Sequence, residues 1–124
     1  MKFNWRDYLT IAYELCEKNN TEAHFRIAIS RAYYAVFNIL RLKAGYHNKK
    51  DVSHQDFISE LKLLNDKVVM KLDIEENKIQ FIGSELDALR KEQNFADYDG
   101  LERFDRGRTN TNLEKATAIL ELFD

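Results

Sequence analysis

The sequence predicts an all-α protein, an up-and-down bundle of four to five helices that forms one domain over residues 1–124. The chain has no proline and only four glycines, so few residues interrupt a helix. Apolar residues recur every three or four positions along most of the chain, and no strand-like alternation competes with that period. We therefore expect more than two thirds of the residues in helices.

The first two helices follow from their caps and apolar patterns. Asn4 and Asp7 have the spacing of a capping box at the start of the first helix. The second helix is expected from Thr21 to Gly45, and its middle is apolar almost all round. Such a helix is covered on several sides, so we expect it at the centre of the bundle, where it could also contribute to a dimer interface. The apolar stripe of the first helix is Trp5, Tyr8, Leu9, Ala12, Leu15 and Cys16.

The remaining helices are predicted from the same period. A third helix is expected to start at Ser53, with a stripe that reaches Leu72, and a fourth to cover residues 74–95. The segment between them has no proline or glycine to mark the boundary. Residues 96–109 carry two glycines and mixed charge, which predicts an irregular connection. The last helix is expected to begin with a cap at Thr111.

Composition excludes several classes of function. The net charge of −2 argues against a globally basic nucleic-acid binder, although a local basic patch remains compatible with it. The single Cys16 excludes an internal disulfide and a cysteine-rich zinc site. His47 and His54 lack a cysteine or a third histidine at ligand spacing, so we expect no metal. The sequence has no glycine-rich phosphate loop, and we expect no cofactor.

The sequence contains no apolar run long enough to cross a bilayer and nothing that resembles a signal peptide. We therefore expect a cytoplasmic protein that does not associate with a membrane. The hydrophobic fraction of 44% is sufficient for one core in a chain of 124 residues. Wholesale disorder is accordingly not expected.

The end of the fourth helix, "ALRKEQNFADYDG", concentrates polar side chains. Arg90, Asn94 and Asp97 lie three or four residues apart and are expected to share one face. Gln93 instead continues the apolar stripe, so its amide is expected to be buried. A buried amide without a partner costs about 1–3 kcal/mol. Gln93 should therefore have a hydrogen-bond partner or lie at a wet interface.

The second helix carries a matching set of polar groups within its apolar surface. Arg31, Tyr34 and Asn38 fall on nearly the same face. A buried arginine requires an acid, and Asp97 is the partner we expect for Arg31, with Asp87 as the second choice. Such a pair would fix the two helices in register. The expected neighbours of this pair, in a polar cleft, are Tyr34, Arg90, Asn94 and Tyr98.

Three further features allow two interpretations each. Arg106 and Arg108 can contact a phosphate or can belong to a solvated loop. Tyr33 and Phe37 can stack on bases or can fill the core. His54 can complete a composite site from a different helix, or can simply be solvated near a helix start.

Three short motifs resemble the HEPN family of small helical domains. "SRAYYAVFNIL" at residues 30–40 is similar to the second-helix signature of that family. "LRKEQNFADYD" at residues 89–99 resembles the Ala-Asp-Tyr segment that follows the fourth helix in a bacterial and archaeal branch. "SHQDFISEL" at residues 53–61 resembles the same branch, where a histidine opens the third helix. The motifs occur in the family's order across residues 23–98.

The resemblance implies an all-α bundle that forms a homodimer, with polar residues of the second and fourth helices at a cleft between protomers. It also implies a metal-independent ribonuclease or toxin, often encoded beside a nucleotidyltransferase-type partner protein. The family's catalytic motif is an arginine followed four to six residues later by histidine. Here Arg90 is followed by no histidine at that spacing, and Gln93 stands where relatives carry an arginine before asparagine.

The resemblance to HEPN domains, together with the missing histidine, leads to two hypotheses about function. The first is a HEPN-like dimeric module with a degenerate ribonuclease motif that binds RNA, a nucleotide or a partner protein, in a toxin–antitoxin or defence context. The alternative is a metal-independent ribonuclease toxin with a variant arginine, asparagine and tyrosine site. The candidate catalytic residues are Arg90, Asn94, Tyr98 and His54, and the expected cleft-lining residues are Arg31, Tyr34, Asn38, Gln93 and Asp97.

Overall fold

The computed structural model describes residues 2–48 and 50–124, and the described residues form six helices and no strand. The all-α prediction is confirmed, and helices contain more than two thirds of the chain. The number of helices exceeds the predicted four to five. The helices are α1 (Arg6–Lys18), α2 (Glu22–Lys43), α3 (His54–Lys62), α4 (Asp66–Leu72), α5 (Glu76–Tyr98) and α6 (Arg106–Glu121).

Helix α2 lies at the centre, as the sequence predicts, because α1, α5 and α6 all pack against it. Ala28, Ala32, Tyr33 and Val36 of α2 are fully buried. The apolar surface of α2 is thus largely covered by other helices of the same chain. The apolar surface of α2 therefore no longer argues for a dimer. Gly45 follows the helix at φ +91, the left-handed C′ position that favours glycine.

The expected third helix is two helices, and this boundary prediction is wrong. Ser53 caps α3 by accepting a hydrogen bond from the amide of Asp56 at 3.0 Å, as expected. The chain then leaves the helix after Lys62, and Leu64 adopts a positive φ of 56. Asn65 starts α4 by accepting from the amides of Lys67 and Val68. The break has no glycine or proline, which is why the sequence pattern did not reveal it.

Three other boundaries differ from the prediction. The expected capping box does not form, since Trp5 is the N-cap of α1 and makes no side-chain hydrogen bond. Asn4 still contributes, because its Oδ1 accepts from the amide of Arg6 at 3.0 Å. Helix α5 extends to Tyr98, and α6 starts five residues before the expected cap at Thr111. Asp105 is the true cap of α6 and accepts from the amide of Arg108 at 2.7 Å. The irregular connection is therefore only residues 99–105.

Helices α3 and α5 approach closely at Gly83. A Cβ atom there would lie 3.0 Å from the backbone nitrogen of Lys62 and 3.1 Å from Cβ of Leu61. Lys62 also reaches α5 through an ion pair with Asp87 at 2.7 Å. This contact fixes the position of α3, whose first residue His54 belongs to the site described next. In the described residues, no helix has both the length and the apolar character needed to cross a membrane.

Candidate functional site

An open cleft of about 780 Å³ lies between the start of α1, the middle of α2, the entry to α3 and α5. Pockets of roughly 300–1,000 Å³ are typical of small-ligand sites. No aspartate or glutamate lines the cleft, although the chain as a whole is acidic. The lining residues are Trp5, Tyr8, Arg31, Tyr34, Phe37, Asn38, Arg41, Val52, Ser53, His54, Gln55 and Arg90.

Arg41 is the buried arginine of α2, with 7% of its surface exposed. Its Nε donates to Oδ1 of Asn38 at 2.8 Å, and Nη1 donates to the carbonyl of Tyr46 at 2.9 Å. Both acceptors are neutral, and Arg41 forms no ion pair with any described carboxylate. A buried charge without an opposite charge is unfavourable. The cleft at Arg41 is therefore well suited to an anion.

Two more arginines line the cleft without an acid. Arg31 is exposed, and its guanidinium carbon lies 5.3 Å from the centre of the Tyr8 ring. Arg90 is half-buried, and its guanidinium group makes no hydrogen bond to a described residue. We name Arg31, Arg41 and Arg90 the cleft arginines. Together they give this part of the surface a positive charge that the net charge of the protein conceals.

The predicted ion pair between Arg31 and Asp97 is wrong. Asp97 is exposed, and its Oδ2 accepts from Oγ of Ser30 at 3.1 Å and from Nε2 of Gln93 at 2.6 Å. The second choice fails too, because Asp87 pairs with Lys62 and Lys91. Arg31 lies on the solvent side of α2, so burial does not force it to find an acid.

His54 forms the aromatic floor of the cleft. Its ring stacks on Phe37 with centroids 3.9 Å apart, and its Nδ1 is 2.6 Å from the hydroxyl of Tyr33. Burial, and then the charges of Arg90 and Arg41, lower the pKa of His54 below its usual value of 6.5. His54 is therefore neutral at pH 7 and can accept a hydrogen bond or a proton.

The structure brings together five of the predicted site residues and separates the others. Arg31, Tyr34, Asn38, His54 and Arg90 all line the cleft. The remaining four lie outside its lining. Gln93 is buried and bonded to Asp97, as a buried amide requires, whereas Asn94 and Tyr98 are exposed at the end of α5.

The lining residues that the sequence analysis did not place at a site include Arg41, Trp5 and Tyr8. The signal for Arg41 was present, because it lies three residues after Asn38 on the face that carries Arg31 and Tyr34. Trp5 and Tyr8 were assigned to the apolar stripe of α1, and spacing alone does not distinguish a core ring from a ring at a cleft.

Arg106 and Arg108 lie in the first turn of α6 rather than in the expected loop, and both have a structural role. Arg108 pairs with Glu92 at 2.8 Å and with Glu102 at 2.9 Å, which raises its pKa. Arg106 donates to the carbonyls of Cys16 and Asn19. These guanidinium groups hold the connection before α6 against the rest of the bundle and are not available to a phosphate.

A second hollow of about 700 Å³ carries the opposite charge. Asp51, Asp56 and Glu60 contribute to its lining, which disfavours a phosphate. No group of three or more histidine, cysteine or acidic side chains within residues 2–48 and 50–124 could hold a metal ion. The cleft that contains the three arginines is therefore the stronger candidate for a binding site.

Comparison of the chain with protein-family models finds no match, and comparisons with curated proteins and with solved structures find no significant match. The assignment of a function consequently depends on the residues of the cleft. Their chemistry is cationic and aromatic, with a neutral histidine at the floor.

Proposed function

We propose that this protein is a HEPN-like helical module that binds RNA or a nucleotide through its phosphate in the cleft. The observation that supports this most is Arg41, a buried cation that has two neutral acceptors and no carboxylate partner. Arg31 and Arg90 add charge at the same cleft. A phosphate supplies the opposite charge, and guanidinium groups bind phosphate through paired, charge-assisted hydrogen bonds.

Fluorescence anisotropy with a labelled RNA of about ten nucleotides tests this proposal. Arg90→Met should weaken binding by about tenfold or more, because a hydrogen bond between charged groups contributes roughly 1.5–3 kcal/mol. The slope of log affinity against log salt should also become shallower, since one phosphate contact is lost. Competition with AMP distinguishes a preference for a free nucleotide from a preference for a strand.

Arg103→Met is the matched control, because Arg103 has an 88% exposed side chain and does not line the cleft. It removes the same charge from the protein but should leave the affinity within about twofold. An equal loss in the two variants would mean that net charge, and not the cleft, attracts RNA. Failure of the wild-type protein to bind either RNA or AMP would refute the proposed function.

His54 favours a second candidate, metal-independent RNA cleavage. A neutral imidazole beside Arg41 and Arg90 has the chemistry to take the proton of a 2′-hydroxyl, whose oxygen then attacks the phosphate. The bond to the 5′ oxygen breaks, that oxygen takes a proton from solvent water, and a 2′,3′-cyclic phosphate remains. Asn94 and Tyr98 of the variant motif do not line this cleft in one chain. Cleavage in EDTA that is lost in His54→Asn, with RNA binding retained, would support this candidate over binding alone.

We further propose that two copies associate through the end of α5. Phe95, Tyr98 and Leu101 lie within seven residues of one another and are 39%, 81% and 93% exposed. Clustered apolar side chains at a surface favour association. Light scattering at micromolar concentration should give twice the chain mass, and Tyr98→Ser with Leu101→Ser should restore the mass of one chain. A wild-type protein with the mass of one chain would refute this association.

A further inference from the structure

Three aromatic rings form a cluster at the edge of the cleft. Phe3 lies 5.0 Å from Trp5 and 5.3 Å from Tyr8, and Trp5 lies 5.3 Å from Tyr8, all in edge-to-face arrangements. Phe3 is 53% exposed, and neither Phe3 nor Trp5 packs against the hydrophobic core. Tyr8 packs against the core, but packing of the core does not account for Phe3 and Trp5. We name the three rings the N-terminal aromatic cluster.

The cluster lies next to the cleft arginines. Trp5 and Tyr8 line the same cleft as Arg31, Arg41 and Arg90, and Arg31 covers the ring of Tyr8. Arg31 and Arg41 are ten residues apart on α2, so their backbone positions are about 15 Å apart along the helix axis. The positive charge therefore extends along the cleft beyond the size of one phosphate group. This arrangement suits a backbone of successive phosphates.

We infer that the RNA bound in this cleft is single-stranded, with an unpaired base stacked on the N-terminal aromatic cluster and the sugar-phosphate backbone along the cleft arginines. This inference rests on the proposed function. Bases in a duplex stack on one another, so their faces are not available to protein rings, whereas single strands expose them. Aromatic platforms beside a positively charged groove are the usual means of holding such strands.

The test uses the full chain and three probes at about 50 mM salt: a labelled ten-nucleotide RNA strand, the same strand in a blunt duplex, and AMP. We expect the single strand to bind at least tenfold more tightly than the duplex and than AMP. Trp5→Ala should weaken binding of the single strand by about tenfold, the range found for loss of one base stack. Trp5→Phe should retain most of the affinity, because it keeps a ring.

Phe3→Ala and Phe81→Ala form a matched pair, since both rings are about half exposed and only Phe3 belongs to the cluster. Phe3→Ala should weaken binding severalfold, and Phe81→Ala should not change it. Thermal melts followed by circular dichroism check that each variant folds. If Trp5→Ala melts well below the wild type, the comparison of Phe3→Ala with Phe81→Ala decides the test, because Phe3 does not pack against the core.

The outcomes separate the two proposals. If duplex or AMP binds as tightly as the single strand, or if Phe3→Ala and Phe81→Ala behave alike, the inference of a stacked single strand is overturned. The proposed function survives that result as long as Arg90→Met still abolishes or weakens binding. If no probe binds to the wild-type protein, both the inference and the proposed function are wrong.

Discussion

Arginine side chains have different surroundings in two regions of the protein, the connection between α5 and α6 and the cleft. At the connection between α5 and α6, Arg26, Arg106 and Arg108 are fully engaged, and we name them the connection arginines. Arg26 donates to the carbonyls of Phe95, Ala96, Asp99 and Glu102. At the cleft, none of the three arginines meets a described carboxylate.

The difference separates arginines whose partners lie within the fold from arginines that have no carboxylate partner among the described residues. Arg26 satisfies carbonyl groups at the end of α5 and in the irregular connection that follows it. Arg106 donates to carbonyl groups at the end of α1, and Arg108 pairs with Glu92 and Glu102. The cleft arginines instead place like charges around one opening, which disfavours folding slightly and favours an anion. Residue type and burial alone would not have separated the groups, since Arg41 is more buried than Arg26.

The largest effect on stability should come from Arg26→Met. This change removes the donor to four carbonyl groups and the cation–π contact with Phe104, and we expect a loss of about 3 kcal/mol in the free energy of unfolding. Urea denaturation measures it. Arg31→Met is the comparison, and it should change stability by less than about 1 kcal/mol, the range of an exposed cation–π contact. Equal losses would remove the distinction between the two regions.

An intermediate effect is expected at Asp97. Asp97→Ala removes the acceptor for the buried amide of Gln93 and should cost about 1–2 kcal/mol. Asp97→Asn keeps an acceptor oxygen and should cost less. Because Arg31 does not pair with Asp97, the effects of Arg31→Met and Asp97→Leu should add in the double variant. Recovery of stability in that double variant would mean that Arg31 belongs with the paired arginines after all.

A small effect is expected from Arg90→Met. The side chain has no carboxylate partner and lies near Arg41 and His54, so its removal should leave the free energy of unfolding within about 0.5 kcal/mol of the wild type. Chemical denaturation at low salt detects the change. A loss comparable to that of Arg26→Met would show that Arg90 has a structural partner.

The smallest effect should be the pH dependence that His54 causes. Burial and the charges of Arg90 and Arg41 lower its pKa in the folded protein, so the unfolded chain binds the proton more readily. The stability that neutral His54 allows is present above pH 6.5 and decreases as the pH falls toward the lowered pKa. His54→Gln should lessen this decrease between pH 7.5 and 5.5 in urea titrations. An identical decrease in both proteins would assign it to other groups.

The lowered pKa of His54 also predicts that the affinity for RNA depends on pH. A bound phosphate offsets the charges of Arg90 and Arg41, so it should raise the pKa of His54 and take up a proton. Affinity for RNA should therefore increase as the pH falls from 7.5 to 6, and the increase should be absent in His54→Gln. Anisotropy titrations at a constant salt concentration measure both proteins. An affinity that does not depend on pH would place the phosphate away from His54.

The sequence predicted the helical class and the central position of α2 because both follow from spacing along the chain. It also located five of the twelve residues that line the cleft, and three of them, Arg31, Tyr34 and Asn38, share one face of a single helix. The sequence-based predictions were wrong for features that depend on contacts between residues distant in the chain. The turn at Leu64 has no glycine, and the carboxylate of Asp97 is engaged by Ser30 and Gln93 rather than by an arginine. No local pattern encodes either arrangement.

Gly83 affects the geometry of the cleft although it does not line it. Because a Cβ atom at this position would collide with the backbone of Lys62, any other residue would push α3 away from α5. Helix α3 starts at His54, so that displacement would move the floor of the cleft without altering any residue that lines it. A substitution at Gly83 is thus expected to change the shape of the cleft from a position outside its lining.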